Sequence, residues 1–149
     1  MNPEASRLWR APAWTLPAML ACLGMLGPFS IDTYLPAFAG IAQALDTTMV
    51  HMQQTLSAYL FGFAVMNLFH GALSDSFGRR PVVLWGLLVF TLASIGCALA
   101  PSIGALVFFR AVQGMSAGAG VVVSRAIIRD MFDPSQAQRV MSQVTIYFG

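Results

Sequence analysis

Apolar residues run along this chain in four blocks, at 14–38, 50–73, 81–100 and 103–123, separated by short breaks rich in Pro, Gly, Asp or Arg. Each block reaches about 20 residues, the length an α-helix needs to cross the hydrocarbon of a bilayer. A fifth apolar run begins near 140 and meets no closing polar flank before Gly149, so the chain is expected to stop inside a fifth helix. No low-complexity tract, Ser-rich linker or short internal repeat lies between the blocks. The pattern predicts an all-α membrane protein of four transmembrane helices plus the start of a fifth.

Composition sharpens that reading. Hydrophobic residues make up 57% of the 149 and charged residues 9%, against roughly one quarter charged in soluble domains. A soluble domain is thereby excluded, and membrane lipid is the expected surrounding. All eight basic residues are arginine, against six acidic ones, and they are scattered between the blocks. Nucleic acid is therefore not an expected partner. Arg7, Arg10, Arg79, Arg80, Arg125, Arg129 and Arg139 fall on one side of an alternating four-span arrangement. Positive loop residues are held in the cytoplasm, so the amino terminus is expected there. A secretory signal is the rival for the first block. Its apolar stretch exceeds the roughly 7–15 residues of a signal core, and Asp32 lies beside the supposed cleavage site at 37–39. Cys22 and Cys97 sit at different expected depths, about 12 Å into span one from the inner end and about 24 Å into the third. They are expected to be buried thiols and not a disulfide.

Two charges fall inside the blocks. Asp32 is expected about 9 Å below the outer end of span one, and Arg110 about 10 Å below the same surface in span four. An ionisable group in hydrocarbon is costly, so each points to function. At a shared depth they can pair or bracket a water-filled cavity in which the carboxylate gains and loses a proton. The alternative is an interfacial Asp32 and a snorkelling Arg110. Arg110, Gln113, Gly114, Ala117, Gly118, Val121 and Arg125 recur at helical spacing. They give a face that is polar at its outer end and small-sided in its middle. Gly114 and Gly118 form a small-xxx-small pair that admits a close neighbour. In span two, Asn67, His70, Gly71 and Ser74 share a face suited to interhelical hydrogen bonds. No Cys/His metal pattern, nucleophile–base pair or phosphate-cradling loop occurs, so neither an enzyme nor a metal protein is expected.

Between spans two and three lies Gly71-Ala72-Leu73-Ser74-Asp75-Ser76-Phe77-Gly78-Arg79-Arg80-Pro81. Gly71 permits close packing, Gly78 a tight turn, and Pro81 the first turn of the next helix. The spacing resembles the major facilitator superfamily motif Gly-x-x-x-Asp-(Arg/Lys)-x-Gly-(Arg/Lys)-(Arg/Lys), matched at Gly71, Asp75, Gly78, Arg79 and Arg80. It departs at Ser76, where the family has a basic residue. The stretches 31–37, 110–114 and 125–130 look like the drug:proton antiporter branch and its Bcr/CflA subgroup. Asn67, His70 and Ala72 depart from the Gln, aromatic and Pro expected there.

The resemblance implies the amino-terminal six-helix half of a twelve-helix transporter of the bacterial inner membrane. Such a protein exports small drug-like molecules in exchange for protons, with the proton gradient as its energy source and no cofactor. By that carry-over Asp32 is the proton-coupling carboxylate, and Asp32, Arg110, Gln113 and Gly114 form the cavity region. Gly71, Asp75, Gly78, Arg79 and Arg80 form a cytoplasmic gating loop that docks on the opposite half. Twelve spans need well over 300 residues, so a missing carboxy-terminal half is implied and the chain is expected to be inactive alone. The alternative is a stand-alone four-helix membrane protein that acts by oligomerising or by binding another membrane protein.

Overall fold

The chain's computed structural model describes residue 12 and residues 15–148, and these are helical apart from short connections. Arg7 and Arg10 lie outside the described residues. The helices are α1 (Thr15–Tyr34), α2 (Phe38–Ala44), α3 (Met49–Phe77), α4 (Arg79–Ala98), α5 (Ile103–Met131) and α6 (Pro134–Phe148). A 3-10 turn, Leu35–Ala37, joins α1 to α2, and Pro36 suits it because a first turn has no use for the missing N–H. Among the described residues, Thr15–Ala44, α3, α4 and α5 are the four segments long and apolar enough to cross a membrane.

Local chemistry sets the helix ends, and several lie beyond the apolar blocks. After α2 the chain closes in a Schellman turn. Thr47 N–H donates to Ala42 O at 2.9 Å and Asp46 N–H to Gln43 O at 3.3 Å, while Asp46 takes φ 46°. Asp is among the few side chains that tolerate this left-handed backbone. Thr48 then caps α3 by accepting from His51 N–H at 3.4 Å, and Ser102 caps α5 from Ala105 N–H at 3.4 Å. Gly78, at φ 90°, makes the reversal between α3 and α4. Helix α6, where the start of a fifth span is expected, begins at Pro134, six residues before the apolar run near 140, because Pro is pre-organised for a first helical turn.

Helix α5 is the axis of the bundle, packing on α1, α3, α4 and α6. Its middle buries Gly114, Ser116, Ala117, Gly118, Ala119 and Gly120. A Cβ at Gly114 would overlap the carbonyl of Tyr59 in α3, and one at Gly120 the carbonyl of Leu23 in α1. Lipid is as apolar as a leucine side chain, so close backbone approach and van der Waals contact, not water exclusion, bind these helices. By contrast α4 buries only Ala93 among its residues and exposes Leu84, Trp85, Leu88, Leu92 and Ile95, a surface suited to acyl chains.

Apolar clusters close each end of the bundle. Tyr34, Phe38, Ala42, Met52 and Leu106 pack at the Thr48–Ser102 end. Leu16, Leu20, Ile128 and Val140 pack at the other, joining α1, α5 and α6. Cys22 is exposed and Cys97 partly exposed, which corrects the expectation of buried thiols. Depth in the membrane does not fix which side of a helix a residue occupies, and Cys22 is on an outer side. Gly71 likewise has no neighbouring atoms within 4 Å of an added Cβ, so it does not serve close packing in this structure.

Candidate functional site

Arg110 is 6% exposed and Gln113 5%, both on the α5 face toward α1 and α4. The Arg110 guanidinium lies over the Tyr34 ring, 3.3 Å from its centroid, and its Nη1 donates to Ser30 Oγ at 3.2 Å. Tyr59 stands 5.8 Å away. A second row of hydroxyls holds Tyr34 in place. Thr55 Oγ1 donates to Met52 O at 2.6 Å, leaving its oxygen to accept from Tyr34 Oη, also at 2.6 Å. Tyr34 further packs edge-on against Phe38, with centroids 4.9 Å apart. Gln113 Nε2 donates to Ser94 Oγ at 2.7 Å, tying α5 to α4.

Neither Arg110 Nε nor Gln113 Oε1 has a hydrogen-bond partner among the described residues. Both side chains border a cavity of about 560 Å³ between α1, α4 and α5. Gly114, next along α5, does not line that cavity; it seats the backbone of α3.

Asp32 lies elsewhere. It is exposed and lines a separate space of about 230 Å³ with Gly27, Pro28, Tyr59, Leu60 and Phe63, between α1 and α3. The described ion pairs do not include it, so Asp32 and Arg110 do not pair in this structure. Helix geometry gives the reason. Ser30 and Tyr34 are one turn apart and share the face toward Arg110, and Asp32, two residues from each, points to the opposite side.

The loop motif forms a second cluster at the Gly78 end. Arg79 Nη1 meets Asp75 Oδ1 at 2.7 Å and also donates to Ser74 Oγ, which itself donates to Gly71 O at 2.9 Å. On its other edge Arg79 reaches Asp130 Oδ2 through Nη2 at 3.0 Å and Nε at 3.1 Å. One guanidinium thus joins the ends of α3 and α5. Arg80 is exposed and outside the cluster. Sequence reasoning gave Asp130 no role, because 51 residues separate it from Arg79 and no spacing rule links them. Asn67 Oδ1 and His70 Nδ1 crowd the space that Gly118 leaves open. Neither atom makes the expected interhelical hydrogen bond among the described residues.

Comparison with known proteins bears on both clusters. The family model described as Major Facilitator Superfamily matches residues 20–149. A bicyclomycin resistance protein homologue of Haemophilus influenzae is 41% identical over 129 residues, covering 87% of this chain and 32% of that protein. Multidrug resistance protein D of Escherichia coli is 36% identical over 124 residues, 83% of this chain and 32% of that protein. Multidrug resistance protein MdtL of a Shewanella species is 38% identical over 128 residues, 85% and 32% respectively. The chain spans about a third of the length of these curated relatives. The residues matched run from α1 through α6 and take in both the Arg110 face and the Arg79 cluster, and on that match the chain belongs to the Major Facilitator Superfamily.

Proposed function

We propose that the chain is the amino-terminal part of a proton-coupled multidrug efflux antiporter of the bacterial inner membrane, with its amino terminus in the cytoplasm. The observation that carries the proton step is Asp32, an exposed carboxylate within a membrane-spanning segment and with no basic partner among the described residues. A carboxylate so placed binds and releases a proton as water reaches it, and its charge then alters the lining it shares with α3. Drug-like substrates are supported by the resistance proteins to which the chain is similar. The Asp75–Arg79–Asp130 cluster, with Gly78 as its turn and Arg80 free beside it, serves as the cytoplasmic latch against the second half. Ser76, where the family carries a basic residue, leaves that latch one charge weaker.

Alternating access needs one helical bundle to rock against another, and this chain covers 32% of its relatives' length. The 149 residues alone are therefore expected to insert without exporting. The test is Asp32→Asn in the chain joined to the remaining helices of a twelve-helix relative, with proton release on drug addition measured on purified protein. Release should vanish while folding and insertion persist; undiminished release removes Asp32 from the coupling step. Energy-dependent dye efflux by the 149-residue chain alone, in cells lacking their own pumps, would instead favour a small oligomeric transporter.

A further inference from the structure

We infer that the cavity between α1, α4 and α5 is an anion site, taking an apolar monoanion that carries a hydrogen-bond donor beside its charge. Its cation is Arg110, nine-tenths buried and supported on one face by the Tyr34 ring at 3.3 Å. Among the described residues, no acidic one lines this cavity. Asp32 opens onto a different space, Asp46 follows α2 at the outer rim, and Asp75, Asp130 and Asp133 belong to the far end of the bundle. Glu4 lies outside the described residues. Ring stacking and the bond to Ser30 satisfy part of the guanidinium, but Nε has no partner among the described residues. A desolvated guanidinium gains most from a carboxylate, which its donors can engage through charge-assisted hydrogen bonds.

The rest of the site defines the ligand further. Gln113 commits its Nε2 to Ser94, so the atom it leaves unpartnered is Oε1, an acceptor that calls for a donor on the ligand. Arg110 and Gln113 are three residues apart on one helix, with Cβ atoms about 5–6 Å from each other, so both groups can meet a single small ligand. Leu26, Phe29 and Phe90 supply an apolar wall, and about 560 Å³ is within the usual range for a small-molecule site. A hydroxylated aromatic carboxylate meets all three conditions. Taken as cargo, this ligand class rests on the transport reading above; binding itself does not.

The test uses the 149-residue chain in phosphatidylcholine nanodiscs, with equilibrium dialysis of radiolabelled 3-hydroxybenzoate, 3-hydroxybenzamide and benzoate, and empty discs as background. The carboxylate should bind at least tenfold more tightly than the amide of the same shape. Arg110→Gln should erase that difference and Arg110→Lys retain it. Gln113→Leu should keep the preference for charge while making 3-hydroxybenzoate and benzoate bind alike. Circular dichroism and gel filtration verify folding, and should Arg110→Gln fail to fold, the wild-type comparison and Gln113→Leu decide the matter. Equal binding of carboxylate and amide by the wild type overturns the proposal, as does a preference that survives Arg110→Gln in a folded protein. Because no transport is measured, a negative result here leaves the Asp32 experiment untouched, and loss of the transport reading leaves this binding result standing.

Discussion

Gly114 shows how one missing side chain can decide helix packing in a membrane. A methyl group there would collide with the Tyr59 backbone carbonyl, which has no freedom to rotate away. Gly114→Ala is therefore expected to lower stability by about 1–3 kcal/mol. Gly104→Ala, on the same helix with nothing within 4 Å, should stay within about 0.5 kcal/mol of the wild type. Denaturant titration of both variants in one detergent distinguishes a packing effect from a general intolerance of α5 to substitution. At this scale the sequence told part of the story. The small-xxx-small spacing of Gly114 and Gly118 announced a close neighbour, but nothing in it said that Asn67 and His70 would be that neighbour at Gly118. Similarly, counting residues placed Asp32 and Arg110 at one depth, whereas their separation is angular: the two-residue offset of Asp32 from Ser30 and Tyr34 turns it away.

Helices α3 and α5 are joined at their ends by Arg79, which bonds to Asp75 within its own turn and to Asp130 across the bundle. Both carboxylates are solvent-accessible, Asp75 at 62% and Asp130 at 49%, so each pair contributes modestly. A double-mutant cycle on Arg79→Gln and Asp130→Asn should give a coupling of about 0.2–1 kcal/mol. It should shrink in 1 M salt, where the screening length is about 3 Å. A coupling that ignores salt would mean the contact is steric. The existence of the four spans was legible because each apolar block is as long as a bilayer is thick. Their ends were not, because hydropathy and helix termination are different quantities. Ser124 and Arg125 end the apolar run of the fourth span near 123, yet the backbone has no reason to stop until Phe132, with Pro134 soon after. The first span likewise runs on to Ala44, six residues past the end of its apolar block at 38, before the Schellman turn at Asp46 closes it.

The molecule as a whole has two unlike ends. Arg79, Arg80, Arg129 and Arg139 gather where α3, α5 and α6 meet loops, whereas the connections after α2 and α4 hold no arginine or lysine. On the orientation proposed above, this asymmetry assigns the Gly78 end to the cytoplasm, because positive loop residues are held there. Cysteines introduced singly at Thr47 and Ser76, in a background lacking Cys22 and Cys97, should differ in reaction with an impermeant thiol reagent added outside: Thr47 labelled, Ser76 protected. The reverse pattern would invert the protein in the membrane. The central place of α5 also bears on how the bundle is made. It leaves the ribosome after α1, α3 and α4, and these three have only limited contact with one another without it. At 5–20 residues per second, the 33 residues from Ala98 to Met131 take roughly two to seven seconds to synthesise, and for that interval three helices wait in lipid without their common neighbour. The wait has a benefit. Ser30, Tyr34 and Ser94 are already in the bilayer when Arg110 and Gln113 emerge, so the most polar stretch of the most buried helix is delivered to partners made beforehand, and the growing chain need not hold an unattended cation in hydrocarbon.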